Sequence, residues 1–358
     1  MAKAVYTVVV AGLGKRGMHH ANAFKANPRF KVVGVCDIDT ARLEKAKAEF
    51  GVPGGTDAAA VAAACTPDIF CFCTMPNLRL PMVVSGIASG AKLIVYEKPM
   101  AASMAEAAEI MKLTKAAGVK TVVSHQHRYG AQHRNVKEIV ASGALGRVHT
   151  VYGTATGWMM HMMPHLVDYT RWYNGEAEAQ WAMAQAGGTA KFSDNHPSPD
   201  YIAGFVQYAN GVRGIYECGA GAPDVPEVAK WWGKCRMGAQ GSEGFAEVLT
   251  NGGWRSVTKR GGFQSGDGAM NYDADMPPYV ARMADWLDDD SKIHECCGDS
   301  AYKGFEIMMA LCRSAVGRGQ VALPLGPGEA ELDALKRVLP NAPVIPSTPE
   351  TAEQYKRK

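Results

Sequence analysis

Val8–Gly17, read V-V-V-A-G-L-G-K-R-G, joins an apolar run fit for a buried strand to three glycines spaced G-x-G-x-x-G. A helix-capable segment, Lys15 to Ala26, follows at once. In that setting Gly12 permits a tight turn, Gly14 lets the backbone approach a pyrophosphate, and Gly17 lets helix and strand pack closely. Phosphates would then rest on the open N–H groups of the helix N-terminus. The next strand, Phe30 to Cys36, ends at Asp37, twenty residues past Gly17. A carboxylate there accepts hydrogen bonds from adenosine ribose hydroxyls. Asp37 is followed by Ile38 and Asp39, which would repel a 2′-phosphate, so the pattern favours NAD over NADP; Arg42 is the residue that argues otherwise.

The chain of 358 residues has room for two domains, and 47% hydrophobic with 20% charged residues is a globular composition. A net charge of +3 makes no electrostatic case for nucleic acid or an anionic membrane. No apolar run approaches the roughly 20 residues needed to span a bilayer. The start, M-A-K-A-V-Y-T, leads directly into the first strand and carries no leader pattern. Nine scattered cysteines read as reduced thiols of a cytoplasmic protein, and their spacing is not that of a zinc site. The eighteen methionines, bunched at Met159, Met160, Met162 and Met163, read as adaptable packing.

Strands and helices alternate through Val123. The pattern gives helices at about 40–50, 57–64, 78–89 and 103–118, with strands at 68–73, 92–96 and 119–123. That rhythm predicts a doubly wound parallel sheet. Two loops fall at carboxyl ends of strands, where ligands bind in such sheets: Thr74-Met75-Pro76-Asn77 and Glu97-Lys98-Pro99. Beyond Ser124 short strands dominate, at 147–156, 201–208, 212–218, 234–238 and 244–249, with helices at 131–141, 278–288 and 300–318. These predict a second domain with a mostly antiparallel sheet. The domain expectation is 1–125 for nucleotide binding, 126–346 for substrate and oligomerisation, and 347–358 for a polar tail.

Together these motifs resemble the Gfo/Idh/MocA family, the glucose–fructose oxidoreductase and inositol dehydrogenase group, over nearly the whole chain. T-M-P-N is similar to the family's T-P-N loop, and E-K-P matches its signature tripeptide. Ser124–Tyr129 resembles G-x-N-x-R-F, with Gln126 in the Asn position, and Gly238–Val248 resembles a G-x-x-G strand of the second domain. His161–Asp168, H-M-M-P-H-L-V-D, aligns with D-x-x-x-H-x-x-D, so His161 replaces the first Asp while His165 and Asp168 remain. The resemblance implies a Rossmann domain, an open-faced antiparallel sheet domain, NAD(P), and redox chemistry on sugars or polyols.

The resulting cofactor set is Gly12, Leu13, Gly14, Lys15, Arg16, Gly17, Asp37, Arg42, Thr74, Pro76, Asn77, Glu97 and Lys98. The catalytic set is Lys98, His165 and His161, and the substrate set is Lys98, Gln126, Arg128, Trp158, His161 and His165. Oxidising a secondary alcohol requires a base for the hydroxyl proton. Lys98 can stabilise an alkoxide or share its proton, and Glu97 would hold it in place. His165 is the expected general acid/base, with Pro164 at the first position of its helix and the ring in the first turn. His161 either partners His165 or lines the pocket. Arg128 either binds substrate or makes a structural ion pair, Trp158 either stacks on a sugar or is core, and Asp168 reads as structural. His125, His127, His161 and His165 lack a compact ligand motif, so no metal is expected.

The leading functional reading is an NAD-dependent dehydrogenase of a sugar, cyclitol or glycoside hydroxyl. The alternatives are an NAD-retaining glycoside hydrolase, working by oxidation, elimination and re-reduction, and a non-catalytic NAD sensor. An open sheet face in the second domain predicts a homodimer or homotetramer, with no nucleic-acid or membrane partner.

Overall fold

The computed structural model describes residues 4–229, 233–249, 253–268, 270–342, 344–346, 349 and 353. Most of the expected tail, 347–358, therefore lies outside the described residues. The chain forms two compact units. The first comprises residues 1–102, 106–129 and 271–302; the second comprises 103–105, 130–270 and 303–358.

In the first unit, β1 (Tyr6–Ala11), β2 (Phe30–Cys36), β3 (Gly54–Gly55), β4 (Ile69–Phe72), β5 (Leu93–Glu97) and β6 (Lys120–Ser124) make one parallel sheet. Its order is β3-β2-β1-β4-β5-β6, the doubly wound dinucleotide-binding arrangement. The strands are apolar and buried on both faces, as a sheet flanked by crossover helices demands. Those helices are α1 (Lys15–Ala26), α2 (Thr40–Phe50), α3 (Ala58–Cys65), α4 (Arg79–Ala88) and α5 (Met104–Ala116). Asp39 and Asp57 cap α2 and α3, each carboxylate accepting two main-chain N–H groups of the first turn.

The second unit holds α6 (Ala131–Ala141), β7 (Val148–Ala155), α7 (Met159–Tyr173), β8 (Ala179–Gly187), β9 (Tyr201–Tyr208) and β10 (Arg213–Gly219). It continues with β11 (Cys235–Gly241), β12 (Gly244–Leu249), β13 (Gly253–Thr258) and β14 (Gly262–Gly266). Helix α8 (Tyr272–Asp288) belongs to the first unit. Helix α9 (Gly298–Gly317) begins in the first unit and continues in the second, which ends with β15 (Val321–Ala322) and α10 (Glu331–Val338). The second sheet runs β14-β13-β12-β11-β7-β10-β9-β8-β15, antiparallel except for the β7–β10 pair. Helix α7 lies across β7, β10 and β11, and α6 across β12 and β13, on one face. A hydroxyl chain, Thr170 to Tyr216 at 2.8 Å and Tyr216 to Tyr208 at 2.7 Å, fastens α7 to that face.

The return of residues 271–302 to the first unit is absent from the sequence reading, which places one boundary at 125/126. Burial explains it: Met276, Tyr279, Val280, Met283 and Ala284 join the core of the parallel sheet. Polar ties reinforce it. Tyr6 Oη donates to Asp288 at 2.8 Å, and His127 Nδ1 lies 2.5 Å from Asp275 Oδ2.

Two helices begin earlier than expected. The sequence places Pro164 at the first position of its helix, which proline favours, and a later helix at about 278–288. Instead α7 starts at Met159 and α8 at Tyr272, so Pro164 and Pro277 are sixth in their helices. In α7 the burial of Met159, Met160, Met162 and Met163 outweighs the hydrogen bond Pro164 cannot donate. In α8 the side chain of Asn271 caps Asp273 N and Ala274 N. His165 consequently sits in the second turn, and His161 takes the first-turn position. Strands β8, β13 and β14 also lie outside the sequence reading; their small, polar-rich sequences weaken the alternation that marks a strand.

Candidate active site and cofactor cradle

In the first unit the glycine loop sits at the switch point between β1 and β4. Gly12 has φ +83°, and a Cβ there would lie 2.6 Å from Cys73 O. A Cβ on Gly17 would lie 1.7 Å from Gly12 O, so loop and helix touch main chain to main chain. Gly14 differs: a Cβ there would meet only Arg42 Nη1, at 3.9 Å. The open side of the loop is therefore free for a pyrophosphate, while its inner side is packed solid. Asp37 is buried and already shaped, its Oδ2 accepting Leu13 N at 2.5 Å and its Oδ1 accepting Asp39 N at 2.8 Å. Arg42 reaches Asp39 at 3.5 Å from an exposed position beside the loop. Lys15 is exposed at the start of α1. These residues fit an adenine dinucleotide.

Arg16 lies over the Tyr272 ring, its guanidinium carbon 3.9 Å from the centroid, and Nη2 donates to Tyr272 Oη. The tyrosine comes from the returning segment, whose contribution the sequence reading lacks. Arg79 was missed as well. It is 1% exposed at the start of α4, donating from Nε to Pro99 O (3.0 Å), from Nη2 to Lys98 O (3.3 Å) and from Nη1 to Thr74 O (2.8 Å). One guanidinium thus ties the T-M-P-N loop to the E-K-P turn. The available signal was a lone arginine opening an otherwise apolar helix. Pro76 and Asn77 form a 3-10 turn, with Asn77 exposed.

Glu97 is half-buried, with Oε1 3.2 Å from His20 Nε2. Burial would raise its pKa, but the His20 hydrogen bond and the charges of Arg16, His20 and Lys98 outweigh that and hold it well below the carboxylate range. Burial works against protonation of His20, yet Cys73 and Glu97 shift its pKa upward. Both shifts have the sign expected of a hydrogen-bonded His20–Glu97 pair. Among the described residues, His20, Cys73 and Glu97 are the one group with metal-ligand proximity. A hydrogen bond with Cys71 and then burial push the Cys73 thiol well up, which makes it a poor ligand.

Gln126 Oε1 accepts from Ser124 Oγ at 2.9 Å. Arg128 is fully buried, donating to Glu295 O at 2.8 Å and Ser300 Oγ at 3.3 Å, which makes it a tether for the returning segment.

In the second unit, Trp158 precedes α7 and packs beside His161, ring centroids 5.5 Å apart. His165 Nδ1 lies 3.2 Å from Tyr169 Oη one turn further on. His161 and His165 are both half-exposed and, four residues apart, share a helix face. Asp168 is buried.

Comparison with known proteins accords with this geometry. Residues 6–125 match the GFO_IDH_MocA family, described as an oxidoreductase family with an NAD-binding Rossmann fold. An inositol 2-dehydrogenase of Rubrobacter xylanophilus is 29% identical over 190 residues, covering 48% of this chain and 52% of that protein. A 1-carboxy-3-chloro-3,4-dihydroxycyclohexa-1,5-diene dehydrogenase of Comamonas testosteroni is 29% identical over 153 residues, 40% of this chain and 36% of that protein. The chain spans between 36% and 65% of the length of the first curated relatives it matches. An oxidoreductase of Agrobacterium radiobacter, solved with NAD+, L-tartaric acid and magnesium, superposes with TM-score 0.76 at 17% identity, covering 88% of this chain and 98% of that one. That likeness extends the shared fold to the second unit.

Proposed function

We propose that this protein is an NAD-dependent oxidoreductase that moves a hydride between nicotinamide and a secondary hydroxyl of a sugar, cyclitol or glycoside. The observation that carries the reading is the first unit's carboxyl edge. There a loop open only at Gly14, a preformed Asp37 and the Glu97-Lys98-Pro99 turn stand on three strands of one sheet, with Arg79 joining that turn to the Thr74-Met75-Pro76-Asn77 loop. The inositol 2-dehydrogenase relative supports the polyol class.

Bound nicotinamide would supply the hydride acceptor. Lys98 would stabilise the developing alkoxide with its ammonium group, and the ionised Glu97 behind it favours that charge. His165 would take or return the hydroxyl proton, its Nδ1 oriented by Tyr169. His161, one turn earlier on the same face, stands where the family carries a carboxylate.

The test is to incubate the full chain with NAD and sugars, inositols and glycosides, following reduced nicotinamide and released sugar in parallel. Stoichiometric reduced nicotinamide is the expected result. Released sugar without net reduction identifies the NAD-retaining hydrolase instead, and NAD binding without turnover identifies a sensor.

A homodimer or homotetramer is part of the same reading. The sheet face away from α6 and α7 carries Met183, Phe205, Val257 and Phe263, 46%, 50%, 39% and 67% exposed. Apolar surface of that kind favours a partner. A monomer by light scattering at micromolar concentration would contradict it. Among the described residues no helix is long and apolar enough to cross a membrane.

A further inference from the structure

Helix α1 buries Gly17, His20, Ala21, Ala23 and Phe24. The other members of that face are small or apolar, whereas His20 is an imidazole, 1% exposed, three residues past the last glycine of the loop. It belongs to none of the residue sets read from the sequence. A buried polar ring costs stability unless hydrogen bonds replace its lost water. His20 has two partners: Nε2 lies 3.2 Å from Glu97 Oε1 and 3.4 Å from Ser124 Oγ. Glu97 and Ser124 stand opposite each other at the carboxyl ends of β5 and β6. Ser124 gives its own proton to Gln126 Oε1 at 2.9 Å, which leaves its oxygen to accept. Facing a carboxylate and an accepting hydroxyl, Nε2 must carry a proton. The Tyr279 ring, edge-on to the imidazole with centroids 5.9 Å apart, packs against it from α8.

We propose that His20 is a positioning residue for Lys98, its Nε2–H holding the Glu97 carboxylate in place and in its charged form at the root of the Glu97-Lys98-Pro99 turn.

The physical case starts from the carboxylate. A half-buried carboxyl takes up a proton unless donors or cations hold it ionised, and once ionised it favours a neighbouring ammonium. The groups whose charges bear on Glu97 are Arg16 from α1, Cys73 just past β4, Arg79 from α4, Lys98 itself, and Tyr272 and Tyr279 from α8. Among the described residues, the side-chain hydrogen bond to that carboxylate comes from His20. Charge at a distance fixes no direction, whereas a hydrogen bond from a ring locked by packing does. His20 therefore acts through Glu97, touching neither cofactor nor substrate.

This inference rests on the oxidoreductase reading, and its test separates the two. Carbon-13 NMR of the full chain, labelled at its glutamate carboxyls, follows Glu97 without cofactor or substrate; Glu97→Gln assigns the signal. Glu97 should stay ionised well below the ordinary glutamate value of about 4.3 in the native chain and titrate at or above it in His20→Met. In His20→Gln, whose amide can donate to the same oxygen, it should stay low. With the substrate found by the screen above, His20→Met should lower kcat about tenfold or more while KM and NAD affinity change less than about threefold. His20→Gln should recover most of that loss, which a merely space-filling role for the ring does not predict. Should His20→Met fail to fold, His20→Asn, too short to reach the carboxylate, takes its place. A Glu97 that titrates near 4.3 in the native chain, or a native titration and kcat in these donor-lacking variants, overturns the proposal. Absence of turnover by the native chain overturns the oxidoreductase reading, and with it the role of His20 toward Lys98, while the titration still shows whether His20 holds Glu97.

Discussion

The glycine loop of the first unit and the start of α7 in the second are assembled by opposite means. Around Gly12–Gly17 recognition is made of backbone. Two glycines let main chain touch main chain, a third leaves an opening, and Asp37 is locked by N–H groups before any ligand arrives. Around the start of α7 the side chains of Trp158, His161 and His165 gather in place of backbone groups. Backbone recognition ties function to a short motif. Side-chain recognition lets the same fold serve many substrates, because each position can change without disturbing the main chain.

The sharpest way to break that contrast is Gly17→Ala. A methyl 1.7 Å from Gly12 O forces the main chain apart, and a loss above about 4 kcal/mol is expected; denaturant unfolding measures it. A small change would mean the loop is soft and the contrast false. Lys98→Ala should lower the turnover number about 10²–10⁴-fold with NAD affinity nearly unchanged. Steady-state and binding measurements together check this, and wild-type turnover would remove Lys98 from the chemistry.

Arg79→Met leaves the carbonyls of Thr74, Lys98 and Pro99 without that donor, at about 1–3 kcal/mol for each one left unsatisfied. It should weaken NAD binding as well as stability, and Arg79→Lys, lacking the planar fork, should not restore it.

Acidification should act on the first unit through His294. Burial first pushes its pKa down, to about 4, and its geometry suits only the neutral ring: Nε2 donates to Tyr279 O at 3.0 Å while Nδ1 accepts Cys296 N at 3.0 Å. The folded pKa lies below the unfolded value of about 6.5, so the unfolded chain binds the extra proton. Stability is complete above pH 6.5 and falls by about 3 kcal/mol as the pH drops to 4. Unfolding curves across that range check it, and His294→Gln should flatten them. The smallest effect is expected at Asp39→Ala, about 1 kcal/mol for the lost α2 cap, read from thermal unfolding.

What could be read from the sequence follows the same division. Gly12, Gly14, Gly17, Asp37 and Glu97-Lys98-Pro99 are legible because each answers a local demand of the main chain, and the parallel sheet follows from strands apolar throughout. Pro164 misleads because a local preference is outvoted by burial of the turn before it, and the start near Pro278 because the Asn271 cap opens the helix earlier. Arg79 and Tyr272 escape because their roles depend on partners distant in sequence, such as Pro99 and Arg16. Strand β14 escapes because G-F-Q-S-G has one apolar residue, and that Phe263 points to the exposed face.

Residues 271–302 also bear on how such a chain can be rearranged by recombination. A gene fragment ending near residue 129 would encode the whole parallel sheet yet lack Tyr279, Val280 and Met283, which complete its packing. Exchange of the second unit between relatives therefore calls for two crossovers, one near 130 and one near 270, with a third near 303 if the end is replaced too. Inheritance of the first unit is thereby tied to a piece encoded beyond the bulk of the second, so the two are expected to diverge within a shared frame and not to be traded whole.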